Sequence, residues 1–292
     1  MTNYHEMKIG IIADSSCDVT EELQSKLHVT LIPFQMDINN HNYVDDGTVN
    51  IQEFINEMKI SKETPKSACP SIGEYEEAMR QFDVCFVITI SSRLSGSYNS
   101  ACAAAQMISE DASNHKIFVV DSKSASCGET AIALFINDLI HQGVDPDEIF
   151  KRAEEFVEKQ LTLFTLIDLD NLFKNGRISK FSKITSSTFN LRPIMKANDG
   201  EIELLKIARG TKKAFTKMVE MMNDFTKNAK MDSLRLIMTH CNCESQAMQI
   251  KEKLLECCNT LKEVIVIPTG ALSSMYANDG GIIMACLPDN EV

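Results

Sequence analysis

No stretch of about 18 consecutive apolar residues occurs anywhere in the chain, so no segment is expected to cross a bilayer as a helix. The opening residues, Met1 to Met7, are polar. They lack the basic start, apolar middle and small-residue cleavage site of a secretion signal. A basic excess is missing too: 29 Lys and Arg against 41 Asp and Glu leave a formal net charge of −12. That argues against nucleic acid or an anionic membrane surface as the main partner, since both are negatively charged. An anionic small molecule stays compatible, because one local site can overrule the global field. No CxxC pair occurs among the cysteines, which stand at Cys17, Cys69, Cys85, Cys102, Cys127, Cys241, Cys243, Cys257, Cys258 and Cys286. Several fall inside apolar runs, and without a secretion signal they read as reduced thiols of a cytoplasmic protein. Neither a glycine-rich P-loop nor a GxGxxG fingerprint after the first strand is present, so ATP and dinucleotide sites lack their usual signals.

What is present points to an α/β fold. The length of 292 residues fits two modest domains or one large one, and hydrophobic residues, at 44%, suffice for a sizeable core. Met7–Ala13 reads as a buried strand, with Asp18-Val19-Thr20-Glu21 as a capping box opening a short helix. Val29–Met36 reads as a second strand and Asn39–Asp46 as a loop. Ile51, Phe54, Ile55 and Met58 have helical spacing. Ser71 with Glu74 forms another capping box, and its helix runs to about Gln81. Val84–Ile90 is a continuous apolar run, as in a central parallel strand, and an alanine-rich helix follows to Ile108. Lys116–Val120 is a strand and Thr130–Gln142 a helix. Repeated strand–loop–helix units imply a mainly parallel sheet flanked by helices.

Past residue 160 the rhythm changes. Leu161–Leu166 reads as a strand crossing between domains. Ile194–Lys196 and Ile202–Ile207 form an antiparallel hairpin about Asn198-Asp199-Gly200. A helix over Thr211–Asn228, a strand at Leu234–Thr239, a helix at Glu244–Cys257 and strands at Val264–Ile267 and Ile282–Leu287 complete a mixed α/β half. The expected domains are 1–162 and 163–292, divided near Thr162, with a ligand cleft at or near the junction.

The strongest local feature is Ser91-Ser92-Arg93-Leu94-Ser95-Gly96-Ser97-Tyr98, between a buried strand and a helix start. Ligands in such sheets bind at the carboxyl ends of strands. A helix N-terminus suits an anion, serine hydroxyls add neutral donors, and Gly96 lets backbone approach closely. Ordinary helix capping explains the same serines, and both readings stand. Asp14-Ser15-Ser16, Ser67 to Ser71 and Asp121 to Gly128 are further hydroxyl-rich turns that could converge on one edge. Asn175-Gly176 marks a tight turn presenting Arg177 near the junction, either as a plain surface residue or as a fork for phosphate or carboxylate. A Ser–His–Asp triad lacks a well-placed histidine. His240-Cys241-Asn242-Cys243 is too closely spaced for zinc, and no metal or cofactor is expected.

Over nearly its whole length the sequence resembles the DegV family of bacterial fatty-acid-binding proteins. The resemblance rests on Ile9 to Asp18, Ser91 to Tyr98, Val119-Val120-Asp121-Ser122, Gly176-Arg177-Ile178-Ser179 and Arg192-Pro193-Ile194. It implies a two-domain fold with a buried acyl chain, and no catalytic role of the chain's own. Hydroxyls would hold the carboxylate: Ser67 and Ser95, with Ser92 and the Gly96 amide nearby. It further implies presentation of the fatty acid to a separate fatty-acid kinase, with Arg177 and Arg209 serving docking or transfer. Two elements depart from the family pattern: Thr-Ser-Gln-Pro-Ser becomes Ser67-Ala68-Cys69-Pro70-Ser71, and His-Thr-Gly-Pro-Gly becomes Tyr276-Ala277-Asn278-Asp279-Gly280. The Tyr276 hydroxyl could donate to the head group without carrying a histidine's charge. The alternative is an enzyme acting on a small carboxylated or phosphorylated metabolite, which would share the anion site but not an apolar tunnel. A third reading is a regulatory or structural protein with a vestigial acyl site.

Overall fold

The structure, a computed structural model, describes residues 7–111, 114–178, 190–228 and 233–288. The polar start up to Glu6 and the Ser179 of the Gly176 turn lie outside these. In chain order the elements are β1 (Ile9–Asp14), α1 (Glu21–Leu27), β2 (Val29–Ile32), β3 (Gln35–Ile38), β4 (His41–Val44), α2 (Ile51–Ile60), β5 (Lys66–Ala68), α3 (Ile72–Met79), β6 (Val84–Thr89), α4 (Ser97–Glu110), β7 (Lys116–Asp121), α5 (Cys127–His141), α6 (Pro146–Lys159), β8 (Thr162–Thr165), α7 (Asp170–Lys174), β9 (Leu191–Asn198), β10 (Glu201–Arg209), α8 (Thr211–Asn228), β11 (Leu234–His240), α9 (Glu244–Cys257), β12 (Leu261–Pro268), α10 (Ala271–Ala277) and β13 (Ile282–Pro288).

Among the described residues the strands form three sheets. The first, ordered β2-β1-β6-β7, is parallel throughout, as the continuous apolar runs require. Its strands are apolar on both faces because both are covered. Ile12, Cys85 and Val87 pack on Tyr75, Met79 and Ala101 of α3 and α4. Ile11, Ala13, Phe86 and Ile88 face α5 instead. The second sheet, β10-β9-β8-β13-β11-β12, is antiparallel except for the β11–β12 pair. α8 and α9 cover its outer face through Met218, Met222 and Ile250.

α5 lies between the two large sheets and contacts β1 and β6 of one and β11 and β13 of the other. Its residues Cys127 to Asn137 are buried without a break, the pattern of a helix with no solvent face. One core therefore runs from Ile11 and Phe86 through α5 to Ile237, Ala285 and Leu287.

Local chemistry accounts for several boundaries and corrects others. Ser71 and Glu74 form the expected reciprocal capping box of α3. α1 is capped by Thr20, which accepts from Leu23 N at 3.2 Å, so Asp18 is not the cap its sequence setting implies. Val29–Met36 is not one strand. Pro33, with no N–H for a ladder, follows β2, and the chain re-forms as β3 in a third sheet, β4-β3-β5. The stretch read as a loop after it is a hairpin, with Asn39 and Asn40 both at positive φ (53° and 63°), as a two-residue turn demands. The Asp199-Gly200 hairpin forms as expected, extended to Leu191–Asn198 and Glu201–Arg209. The third sheet and α2 bury Met36, Phe54 and Ile55 against Leu169, Leu172, Leu272 and Met275.

Candidate functional site

The hydroxyl-rich turns do meet. Three of them follow β1, β6 and β7, adjacent parallel strands, and so lie at one sheet edge, whereas Ser67 to Ser71 begins in β5 of the third sheet and reaches the same pocket through Ser67. Backbone and side-chain bonds stitch them together. Ser91 N donates to Ser124 O (2.8 Å), Ser92 N to Asp121 Oδ1 (3.1 Å), and Ser126 N to Ser16 Oγ (3.3 Å). The hairpin tip of the second sheet closes over the same turns. Ser91 Oγ donates to Gly200 O at 2.8 Å, and Lys123 bridges Glu158 and Asp199. Gly200 has φ +79°, and an added Cβ would stand 2.5 Å from Ser91 Oγ, so glycine is required there on both counts.

Between this edge and the second sheet lies a pocket of about 870 Å³, part of it open to solvent. Its walls are mostly apolar: Phe34, Ile90, Leu94, Phe164, Leu166, Leu172, Ile202, Leu272 and Ile283. Besides Lys123 and Glu201, two polar groups interrupt them. A half-buried group gathers Ser67, Ser95, Tyr276 and Arg177. Ser67 Oγ and Tyr276 OH are 3.1 Å apart. The Arg177 guanidinium sits 6.0 Å from the Tyr276 ring centre and donates to Leu94 O (3.2 Å) and Asn175 O (2.7 Å). Ser95 Oγ accepts from Ser97 N at 3.3 Å, at the first turn of α4. A deeper group comprises Ser16, Ser124, Ser126, Thr162 and Ser273, all buried. Four of the hydroxyls are bonded within the protein, Ser124 with Thr162 (2.8 Å), Ser126 with Asp18 and Thr239, and Ser16 with Ser126 N, and Ser273 lies beside the Asp18 carboxyl.

Of the residues singled out in the sequence, Ser67, Ser95, Tyr276 and Arg177 thus come together on the pocket wall. Ser92, Gly96 and Arg209 are not part of that wall. The Ser92 hydroxyl and amide are both committed to Asp121. Gly96 is the exposed N-cap of α4 beside Cys69, and Arg209 ends β10 on the surface. Ser124, Ser126, Thr162 and Ser273 were not singled out individually. The first two lie in a turn flagged for its hydroxyls, whereas Thr162 and Ser273 carry no local signal.

Behind the deep serines lies a buried acidic network. Asp14 accepts from Ile90 N (3.0 Å), Ser97 Oγ (2.5 Å) and Ser16 N (3.1 Å). Asp18 accepts from Gly270 N (2.7 Å) and the Ser126 hydroxyl. Asp45 accepts from Ala271 N (2.9 Å) and Leu272 N (3.2 Å). Both Glu129 carboxyl oxygens are buried without a well-formed hydrogen bond, nearest to Ser16 and Asp14. Burial pushes Asp14 up to about 6 and Asp18 to about 7, partly offset by their donors. It raises Asp45, and lifts Glu129 well above the ordinary carboxylate range with help from the Asp14 charge. Among the described residues no group of three or more His, Cys, Asp or Glu is arranged to hold a metal ion. All ten cysteines are free thiols, and no described helix is long and apolar enough to cross a membrane.

The model of a family described as "Uncharacterised protein, DegV family" matches residues 8–286. A DegV domain-containing protein of Streptococcus pneumoniae is 35% identical over 277 residues, covering 94% of this chain and 97% of its own. Solved structures agree in fold. A DegV family protein from Ruminococcus gnavus, refined with vaccenic acid, superposes with a TM-score of 0.90 at 33% identity, over 96% of this chain and all of that one. The Streptococcus pneumoniae Fatty Acid Kinase (Fak) B3 protein loaded with linoleic acid gives 0.85 at 33% identity, over 97% and 100%. A DegV family protein from Eubacterium eligens loaded with heptadecanoic acid gives 0.87 at 29% identity, over 96% and 100%.

Proposed function

The chain belongs to the DegV family, and from that premise we propose that it binds one long-chain fatty acid, with the carboxylate among Ser67, Ser95, Tyr276 and Arg177 and the acyl chain in the apolar pocket. The observation that carries this reading is the segregation of the pocket's polarity. The half-buried group offers a guanidinium and hydroxyls bonded only to one another or to backbone, whereas the deep hydroxyls are tied to buried side chains, Asp18 among them. A hydrocarbon tail therefore passes the deep serines without stripping them of hydrogen bonds.

Energetics favour a long tail. Each buried CH₂ contributes roughly 0.8 kcal/mol. About sixteen carbons offer on the order of 13 kcal/mol before ordering costs. The head group then fixes orientation and rejects uncharged lipids. A carboxylate taken partly out of water needs several donors, or it protonates instead. Arg177 makes the charged form easier to hold than hydroxyls alone would.

In this reading the chain is a carrier rather than a catalyst. Among the described residues lining the pocket there is no histidine or cysteine to act as base or nucleophile. Presentation to a separate fatty-acid kinase is supported by the likeness to the Fak B3 protein. The half-buried position of Arg177 would bring it within reach of a partner docked over the pocket's open side. Arg209, exposed at the end of β10, would serve only the docking surface. Ten unpaired thiols suit a reducing cytoplasm.

Mass spectrometry of an organic extract of the purified protein tests the reading. One long-chain fatty acid per chain is expected. Ser67→Ala combined with Ser95→Ala should leave the fold intact and lower retained lipid at least tenfold. A consistently lipid-free protein whose melting temperature ignores added palmitic and linoleic acids would overturn it.

A further inference from the structure

We propose that Asp45 and Asp18 are positioning residues for the fatty-acid pocket: together they clamp the start of α10 and so set the wall that carries Leu272, Ser273 and Tyr276. This rests on the binding reading above. α10 has seven residues, too few for a helix to hold its own place, so its position comes from its anchors. Three successive backbone N–H groups at its start, Gly270, Ala271 and Leu272, donate to the two carboxylates at 2.7, 2.9 and 3.2 Å. Its own preceding residue, Gly270, supplies no side-chain cap. An added Cβ at Gly270 would stand 3.1 Å from Asp18 Oδ1, so the fit is close.

The two acids tie α10 to different walls. Asp18 also takes the Ser126 hydroxyl, linking α10 to the turn before α5. Asp45 follows β4, and its N–H donates to the carbonyl of Phe34, which lines the pocket, at 2.9 Å. The clamp therefore joins three pieces of wall that are remote in sequence. Its loss lets α10 swing, taking Tyr276 away from Ser67 and widening the cavity around the acyl chain.

The test pairs hydrogen–deuterium exchange with titration of cis-parinaric acid, a fluorescent long-chain fatty acid, on the full chain. Asp45→Ala should raise exchange in 270–277 selectively and weaken the probe at least tenfold. Asp45→Asn, which keeps one acceptor, should fall between wild type and Asp45→Ala. Asp18→Asn keeps the acceptor for Gly270 N and sets an amide NH2 against the Ser126 hydroxyl, which can accept from it while donating to Thr239, so its affinity should stay within about threefold. Should Asp45→Ala fail to fold, the Asn variants carry the test: Asp45→Asn must weaken the probe more than Asp18→Asn. Unchanged exchange in 270–277, or raised exchange with unchanged affinity, overturns the proposal. A wild-type protein that binds no probe sinks the fatty-acid reading instead, and the exchange result alone then decides whether these acids hold α10.

Discussion

Two polar regions of this molecule use similar hydroxyls to opposite ends. At the open side of the pocket, Ser67, Ser95 and Tyr276 stand half-buried beside Arg177, and the local balance of donors and charge favours an incoming anion. Deeper, at the carboxyl ends of β1, β6 and β7, the hydroxyls of Ser97 and Ser126 point at Asp14 and Asp18, carboxyls the protein supplies itself. No cation is among the groups that shift these acids, and burial drives them toward the neutral form. The contrast teaches that a cluster of serines at strand ends does not by itself mark a site. What marks it is which acceptor the donors face: a buried carboxyl in the depth, and only each other or backbone carbonyls at the rim.

The comparison breaks most readily with pH. A carboxyl whose folded-state pKa is raised binds its proton more tightly in the fold than in the unfolded chain. Its contribution is complete below the ordinary value near 4 and is lost as pH rises through the folded value, about 6 for Asp14 and about 7 for Asp18. For Asp18 alone the loss is on the order of 4 kcal/mol. Urea unfolding at about pH 5 and about pH 8 should show the protein clearly weaker at the higher pH. Glu129→Gln should flatten that slope. A stability profile that rises across the interval would mean the deep acids are paired with charge after all.

Next in size, Gly200→Ala tests the latch between the hairpin tip and the Ser91 turn. A left-handed alanine together with a contact near 2.5 Å to Ser91 Oγ should cost about 1–3 kcal/mol in thermal unfolding. A neutral result would show the tip free to lift from the parallel sheet. Smallest is Tyr276→Phe, which removes the hydroxyl bonded to Ser67 at the rim. Palmitic acid affinity should drop roughly fivefold, about 1 kcal/mol, with the pH profile of stability unchanged. If the substitution shifts that profile, rim and depth are one network and the distinction fails.

The sequence discloses the architecture where information is local. Continuous apolar runs identify the parallel strands, Ser71 with Glu74 sets the start of α3, and Asp199-Gly200 sets the hairpin. Ser67, Ser95 and Arg177 stand in motifs that the residues themselves mark, Tyr276 and the head-group roles rest on resemblance to a family, and the fold brings all four to one wall. What stayed hidden is long-range. Asp18 has the spacing of a helix cap, yet its backbone partner is 252 residues away in Gly270. Asp45 sits in a segment read as a plain loop and caps a helix 226 residues later. The elements expected from local pattern leave out β5, α6, α7 and α10. α10 packs through Leu272, Ser274 and Met275 at pocket and core alike, so no amphipathic stripe advertises it.

The break at Pro33 has a consequence for biosynthesis. By ending β2 it sends residues 35–60 out of the first sheet and into a core shared with Leu272, Met275 and Ala277. A nascent chain cannot bury Phe54 and Ile55 fully, or satisfy Asp45, until Ala271 to Ala277 have also emerged from the ribosome. Closure of the pocket is thereby postponed until α10 has been made. Contacts of such long sequence separation form slowly, so residues 35–60 wait with an oily surface uncovered.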